Sequence, residues 1–128
     1  MKIKNSQMVS FMNGVTNVRE KCLPAKLGFA ITKNLNHMKA IAAAYEEERI
    51  KILDKYSEKD SNGEYVVRNE AYVIPDQGAY EAEMQELLAI ENEIDIHTVP
   101  FSELEKCDSE KFDALSVQDI CLLEFMTE

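Results

Sequence analysis

Between Pro24 and Ser57 the chain contains no second proline and a single glycine, Gly28, and the run AIAAAYEEERIKILDKY within it consists almost wholly of strong helix formers. At 1.5 Å per residue a helix over this span is a rod of about 50 Å, longer than a compact domain of this size. Leu27, Ile31, Leu35, Met38, Ala42, Tyr45, Ile52 and Tyr56 trace an apolar stripe along it, interrupted near Arg49. That stripe has to be covered by another segment of the chain or by another chain, and a homo-oligomer, most simply a dimer with the long helices packed together, is the expectation.

The flanking segments supply candidate partners. Asn5 or Ser6 is placed to cap a first helix whose Met8, Phe11, Met12, Val15 and Val18 recur at helical spacing, with Gly14 a weak point in its middle. Pro24 ends that helix near Cys22 and suits the first turn of the next. Tyr65–Val67 and Tyr72–Ile74 read as two short strands joined across Arg68–Ala71, and Pro75–Asp76 opens a second helix with Tyr80, Met84, Leu87, Leu88 and Glu91 in its register. EIDIHTV alternates apolar and polar residues and reads as a third strand beside that hairpin. Ser102 or Asp108 begins short helical turns, and Ser116 with Asp119 imitates a capping box ahead of a closing helix that buries Ile120, Leu123 and Phe125. The expected fold is α+β, mainly α, in one domain over residues 1–128: a long helix antiparallel to a second helix, joined by a short β-hairpin, with a third short strand and a C-terminal helix.

The stretch EKDSNGEYVV, Glu58–Val67, invites comparison with a calcium loop. With Gly63 as the loop glycine, the closing ligand falls on Asn69, where a bidentate Glu is required, and the first falls on Glu58 in place of Asp. The cluster Asp60-Ser61-Asn62-Gly63 is better explained as a turn, with no metal expected. Cys22, Cys107 and Cys121 are odd in number, far apart and never in a CxxC pair, so they read as buried reduced thiols.

Charge is distributed unevenly. Residues 1–40 hold seven basic side chains and one acid, whereas the remainder holds seven basic and 23 acidic ones. Three readings follow: a basic segment that packs against an acidic one within the fold or in a neighbouring subunit, a small anion site within that segment, or an acidic face that competes with nucleic acid for a basic partner. For the second, Arg19, Lys21, Lys26, Lys33, Asn34 and Asn36 are the candidate ligand-binding residues, gathered around a helix N-terminus at Pro24. The acidic remainder repels long polyanions, so a small nucleotide is expected over DNA. No stretch of 18 apolar residues and no apolar leader core occurs, which leads to the expectation of a cytoplasmic protein that does not contact a membrane.

Catalytic signatures are sparse. His37 and His97 stand alone, with no second His or Cys at metal spacing, and neither a nucleophile elbow, a phosphate-binding glycine loop nor a dinucleotide fingerprint is present. No enzyme activity and no cofactor are expected. The order KLGFAITKNLNHMKAI, YEEERIKILDKYSEKDSNGEYVV, an aromatic Y-x-I-x-D, ELLAIENEIDIHTV and LLEFM, from about Leu23 to Met126, resembles a family of small phage and prophage proteins of unknown function. The resemblance implies a phage origin and an accessory role in a bacterial host, and it carries no catalytic residue across. Three functions fit these observations: a counter-defence protein that sequesters a nucleotide signal or inhibits a host defence protein, a virion or assembly component, and an enzyme with its site around His37 or His97.

Overall fold

The computed structural model describes residues 1–128, and its architecture is α+β and mainly helical. In chain order the elements are β1 (Lys2–Lys4), α1 (Asn5–Arg19), α2 (Ala25–Tyr56), β2 (Val67–Arg68), β3 (Ala71–Tyr72), α3 (Gln77–Leu88), β4 (Glu91–Glu93), α4 (Phe101–Glu105) and α5 (Val117–Leu123). Short 3-10 turns follow α4 and α5. The long helix is a single uninterrupted element of 32 residues, about 48 Å in length.

The core gathers around the first half of α2. Leu27, Ala30, Ile31 and Met38 are buried there against Met8, Phe11, Val15 and Val18 of α1, with Ile3, Ile94, Val99, Leu104, Cys107, Leu123 and Met126 completing the cluster. The rings of Phe11 and Phe125 meet edge to face at 4.9 Å. Gly14, which costs α1 some helical propensity, allows α5 to approach: a Cβ at this position would stand 3.0 Å from both Leu122 methyl carbons. Beyond Met38 the cover on α2 thins to half-buried residues, and the companion there is α3. Tyr56 meets Tyr80, with ring centroids 6.3 Å apart, and donates a hydrogen bond of 2.7 Å to Glu83. Leu87, at the other end of α3, shares a hollow with Ile41 and Tyr45.

Several local expectations need correction. The expected third strand, Glu93–Val99, does not form beside the hairpin: 94–98 are irregular, β4 shares only Glu93 with it and pairs antiparallel with β1, with Ile3 opposite Asn92, and Val99 makes an isolated bridge to Thr127. The pairing is fixed by a buried amide relay. Asn5 donates to the Leu87 carbonyl at 2.8 Å, and Asn92 donates to Asn5 at 2.8 Å. The first helix begins at Asn5 rather than after it, because the Lys4 N–H is satisfied by Gln7 Oε1 at 2.8 Å, and it ends at Arg19, short of Cys22. Pro24 precedes α2 as its cap instead of occupying the first turn. Pro100 does the same for α4, which starts at Phe101. Glu91 lies in β4 and not in the register of α3, which stops at Leu88.

Cysteine burial also departs from expectation. Cys107 alone is buried, and burial pushes its thiol pKa up, whereas Cys22 and Cys121 are exposed. In α5, Leu123 is buried and Phe125 half-buried beyond it, but Ile120 remains 36% exposed because it lies on the outer face of the helix. The capping box before α5 is present: Ser116 Oγ accepts from the Asp119 N–H at 3.1 Å, and Asp119 accepts from the Ser116 N–H at 3.0 Å.

The hairpin ladder is short, pairing Val67 with Tyr72 and Arg68 with Ala71 across a turn in which Asn69 and Glu70 both have positive φ, the geometry that suits the sheet twist. Asp60–Gly63 is a turn with Gly63 at φ 78°. There the Asp60 carboxylate accepts from the backbone N–H groups of Asn62 and Glu64 at 2.8 and 3.1 Å, an arrangement that closes the loop with protein donors. Calcium at millimolar concentration is therefore expected to leave the melting temperature where magnesium leaves it. A calcium-specific rise of several degrees in differential scanning fluorimetry would show that these oxygens turn to a metal instead.

Candidate functional site

The basic segment is held by the linker between α1 and α2, and its candidate ligand residues separate into three environments. Lys21 is committed to the fold. Its ammonium donates to the Ala114 carbonyl at 2.9 Å and to Asp119 at 2.8 Å, tying the linker to the start of α5. This cation, first among the causes, holds the Asp119 carboxyl below its usual range. The neighbouring Cys22 N–H donates to Asp113 at 2.7 Å, and Asp113 N–H returns a bond to the Cys22 carbonyl. The linker is thus stitched to residues 111–119 by charge and backbone together.

Asn34 is removed from any ligand set by burial. It is fully buried, and its amide reads the backbone of His97 from both sides, accepting from the His97 N–H at 2.7 Å and donating to the His97 carbonyl at 3.0 Å. A side-chain amide presents the same donor and acceptor as a peptide group, so Asn34 acts here as a one-residue strand for a segment that has no strand partner. The sequence reading placed it among the anion-binding residues because it follows Lys33. Its position three residues after buried Ile31 and four before buried Met38 was the available sign that it faces the core.

Lys26, Lys33 and Asn36 lie on the opposite, solvent side of α2. Lys33 stands 5.9 Å from the centre of the Phe29 ring. Phe29 is 61% exposed and meets the His97 ring edge to face at 5.6 Å. Together with Lys26 and Pro100 these rings line an open groove of about 390 Å³ at the start of α2. His97 reads from the sequence only as one possible centre of an enzyme site, and Phe29 is not anticipated there, although it is the one large apolar residue of this half of α2 that falls outside the buried stripe. Arg19 is exposed at the last turn of α1, where a cation suits the helix dipole, and it makes no ion pair. His37 lies beside Lys33, its Nδ1 2.7 Å from the Asp95 carbonyl oxygen, so this nitrogen carries the proton.

Elsewhere burial, first among the causes, raises the Tyr45 phenol, and the other displaced groups are surface pairs. Hydrogen bonds from Lys55, then Tyr56, hold Glu83 below its usual range. Tyr65, then Lys59, does the same to Asp54, and Arg49 to Glu46. A cleft of about 640 Å³ between α1 and α5 is lined by Lys2, Ser6, Ser10, Phe11, Cys121 and Phe125 among others. No three His, Cys, Asp or Glu side chains are grouped to hold a metal ion, and no helix is long and apolar enough to cross a membrane. No protein family, curated protein or solved structure matches the chain.

Proposed function

We propose that the chain works by binding another protein and performs no chemistry of its own. In this reading it is an accessory protein of the phage and prophage type, acting in the cytoplasm of a bacterial host by occupying a surface of a host defence protein. The observation that carries it is the end of the molecule remote from the core. There β2 and β3 place Val67 directly opposite Tyr72, both exposed, with the Tyr65 ring 4.8 Å from that of Tyr72. The hairpin segment carries Asp60, Glu64 and Glu70 together with Arg68 and Lys59, whose ammonium stands 5.7 Å from the Tyr65 ring, and the whole chain carries a net charge of −10. An exposed apolar centre on a chain of net negative charge fits a partner with an apolar patch in a basic surface.

The helical hairpin formed by α2, running antiparallel to α3 with the β-hairpin between them, is the arm that presents this tip. Sequestration of a nucleotide is the weaker of the two counter-defence readings. Of the six residues expected to hold it, Lys21 is engaged by Asp119 and Asn34 is buried.

A Val67→Asp, Tyr72→Asp double variant tests the tip. Wild-type protein is expected to retain one host protein from bacterial lysate, and the purified pair to form a salt-sensitive complex that the variant does not form, while the variant's melting temperature stays within a few degrees. Heat on titration with a nucleotide, unchanged in the double variant, would restore the sequestration reading. Recovery of the protein from purified virions would replace both with an assembly role.

A further inference from the structure

The outer face of α2 carries a second regular pattern, independent of the hairpin tip. Phe29, Asn36, Ala43 and Ile50 recur every seven residues, and Lys33, Ala40, Glu47 and Asp54 recur every seven between them. Interleaved, the two rows advance in steps of four and three, the repeat of a helix–helix seam. This row lies opposite the side that the core covers. Phe29 is 61% and Ile50 50% exposed, and Ala40, Ala43 and Glu47 are exposed as well. Charge runs along it in order, basic at Lys26 and Lys33 and acidic at Glu47 and Asp54, with small alanines at the change of sign.

We infer that this face is the interface of a two-fold dimer, in which the α2 helices of two copies pack antiparallel and cross at Ala40. The pattern is complementary to itself only under that operation. Lys33 and Glu47 each stand seven residues from Ala40, so a two-fold axis there brings Lys33 level with the second copy's Glu47. Lys26 and Asp54 stand fourteen residues from it, and they come level in the same way. Asp54 is suited to this: Tyr65 at 2.6 Å and Lys59 at 2.9 Å both bind its Oδ1, which leaves Oδ2 to a third donor. Phe29 comes level with the second copy's Ile50 and the alkyl stem of its Lys51, pairing the two exposed apolar residues of the face. A parallel pairing would set Lys33 against Lys33 and Glu47 against Glu47. At the axis Ala40 and Ala43 allow close approach, and exposed Ile90, which shares a hollow with Ala40 and Ala44, widens the apolar contact.

The basic segment is thereby matched by the acidic half of the same helix in a neighbouring subunit. The inference does not depend on what the hairpin tip binds, since the exposed pair Val67 and Tyr72 lies outside the seam and only Tyr65 reaches it, through its bond to Asp54.

Sedimentation equilibrium on the full chain tests it. At about 50 µM the wild type is expected at twice the 14.6 kDa chain mass. Lys33→Glu alone and Glu47→Lys alone are each expected to weaken the dimer at least about tenfold, and the combined swap to return it to within about threefold of wild type. Circular dichroism should show unchanged helicity in all three. A wild-type monomer at this concentration overturns the inference, and so does a dimer that the single swaps leave intact or that the combined swap fails to rescue.

Discussion

Asn34→Ala is expected to lower the unfolding free energy by about 3 kcal/mol, which for a domain of this length is a fall of roughly 10 °C in melting temperature. The side chain is fully buried, and its amide is the hydrogen-bond partner of both the N–H and the carbonyl of His97. Truncation leaves two backbone groups without partners and opens a cavity beside Met126, whose sulfur lies 3.6 Å from the amide nitrogen. Asn34→Leu separates the two costs, since it nearly fills the volume and still strands the peptide. It is expected to lose about 2 kcal/mol. Denaturant unfolding measures both. Either variant within about 0.5 kcal/mol of wild type would mean that the segment around His97 finds other partners.

The second large effect is expected at Asp119. Its Oδ2 accepts from Lys21 at 2.8 Å and from the Ser116 N–H at 3.0 Å, so one atom joins the α1–α2 linker to the cap of α5. Asp119→Ala removes a cap and a largely sheltered ion pair together, an expected loss of about 2–3 kcal/mol at neutral pH. Its pH dependence has a definite sign. The folded carboxyl is held below its ordinary value, principally by Lys21. The stabilisation is therefore complete above the unfolded pKa of about 4 and disappears as pH falls through the lower folded value. Wild type and variant should differ fully at pH 7 and converge as pH falls below the ordinary carboxylate range, as followed by urea titration. A gap that stays constant across that range would assign the loss to packing and not to charge.

The features read correctly from the sequence are those set by short-range periodicity. Met8, Phe11, Val15 and Val18 announce the buried side of α1, and Ser116 with Asp119 announces the start of α5, because each pattern is complete within a turn or a few turns of helix. The β1–β4 pair was illegible for the opposite reason. Three residues carry no period, and the choice of Asn92 as the partner of Ile3 depends on amides that meet only in the folded chain. The candidate anion-binding residues divide among environments for a related reason. Neighbours in sequence on α2 point to different sides, so Lys33 and Asn34 part company, one to solvent and one to the core. Lys21, read as a free cation, has its partner 98 residues away, a distance that no local motif records.

The packing of α1 against α5 has a consequence for how the protein is made. Phe11 waits for Phe125 and Gly14 for Leu122, contacts separated by more than a hundred residues, and β1 waits nearly as long for β4. At ribosomal speeds α1 is synthesised roughly 5–20 s before its cover, with Met8, Phe11, Val15 and Val18 bare except where nascent α2 shields them. The hairpin and α3, built from contacts between near neighbours in sequence, can settle onto α2 within that interval. On the ribosome the tip thus takes shape ahead of the core, and the apolar side of α1 is the surface that a chaperone would meet first.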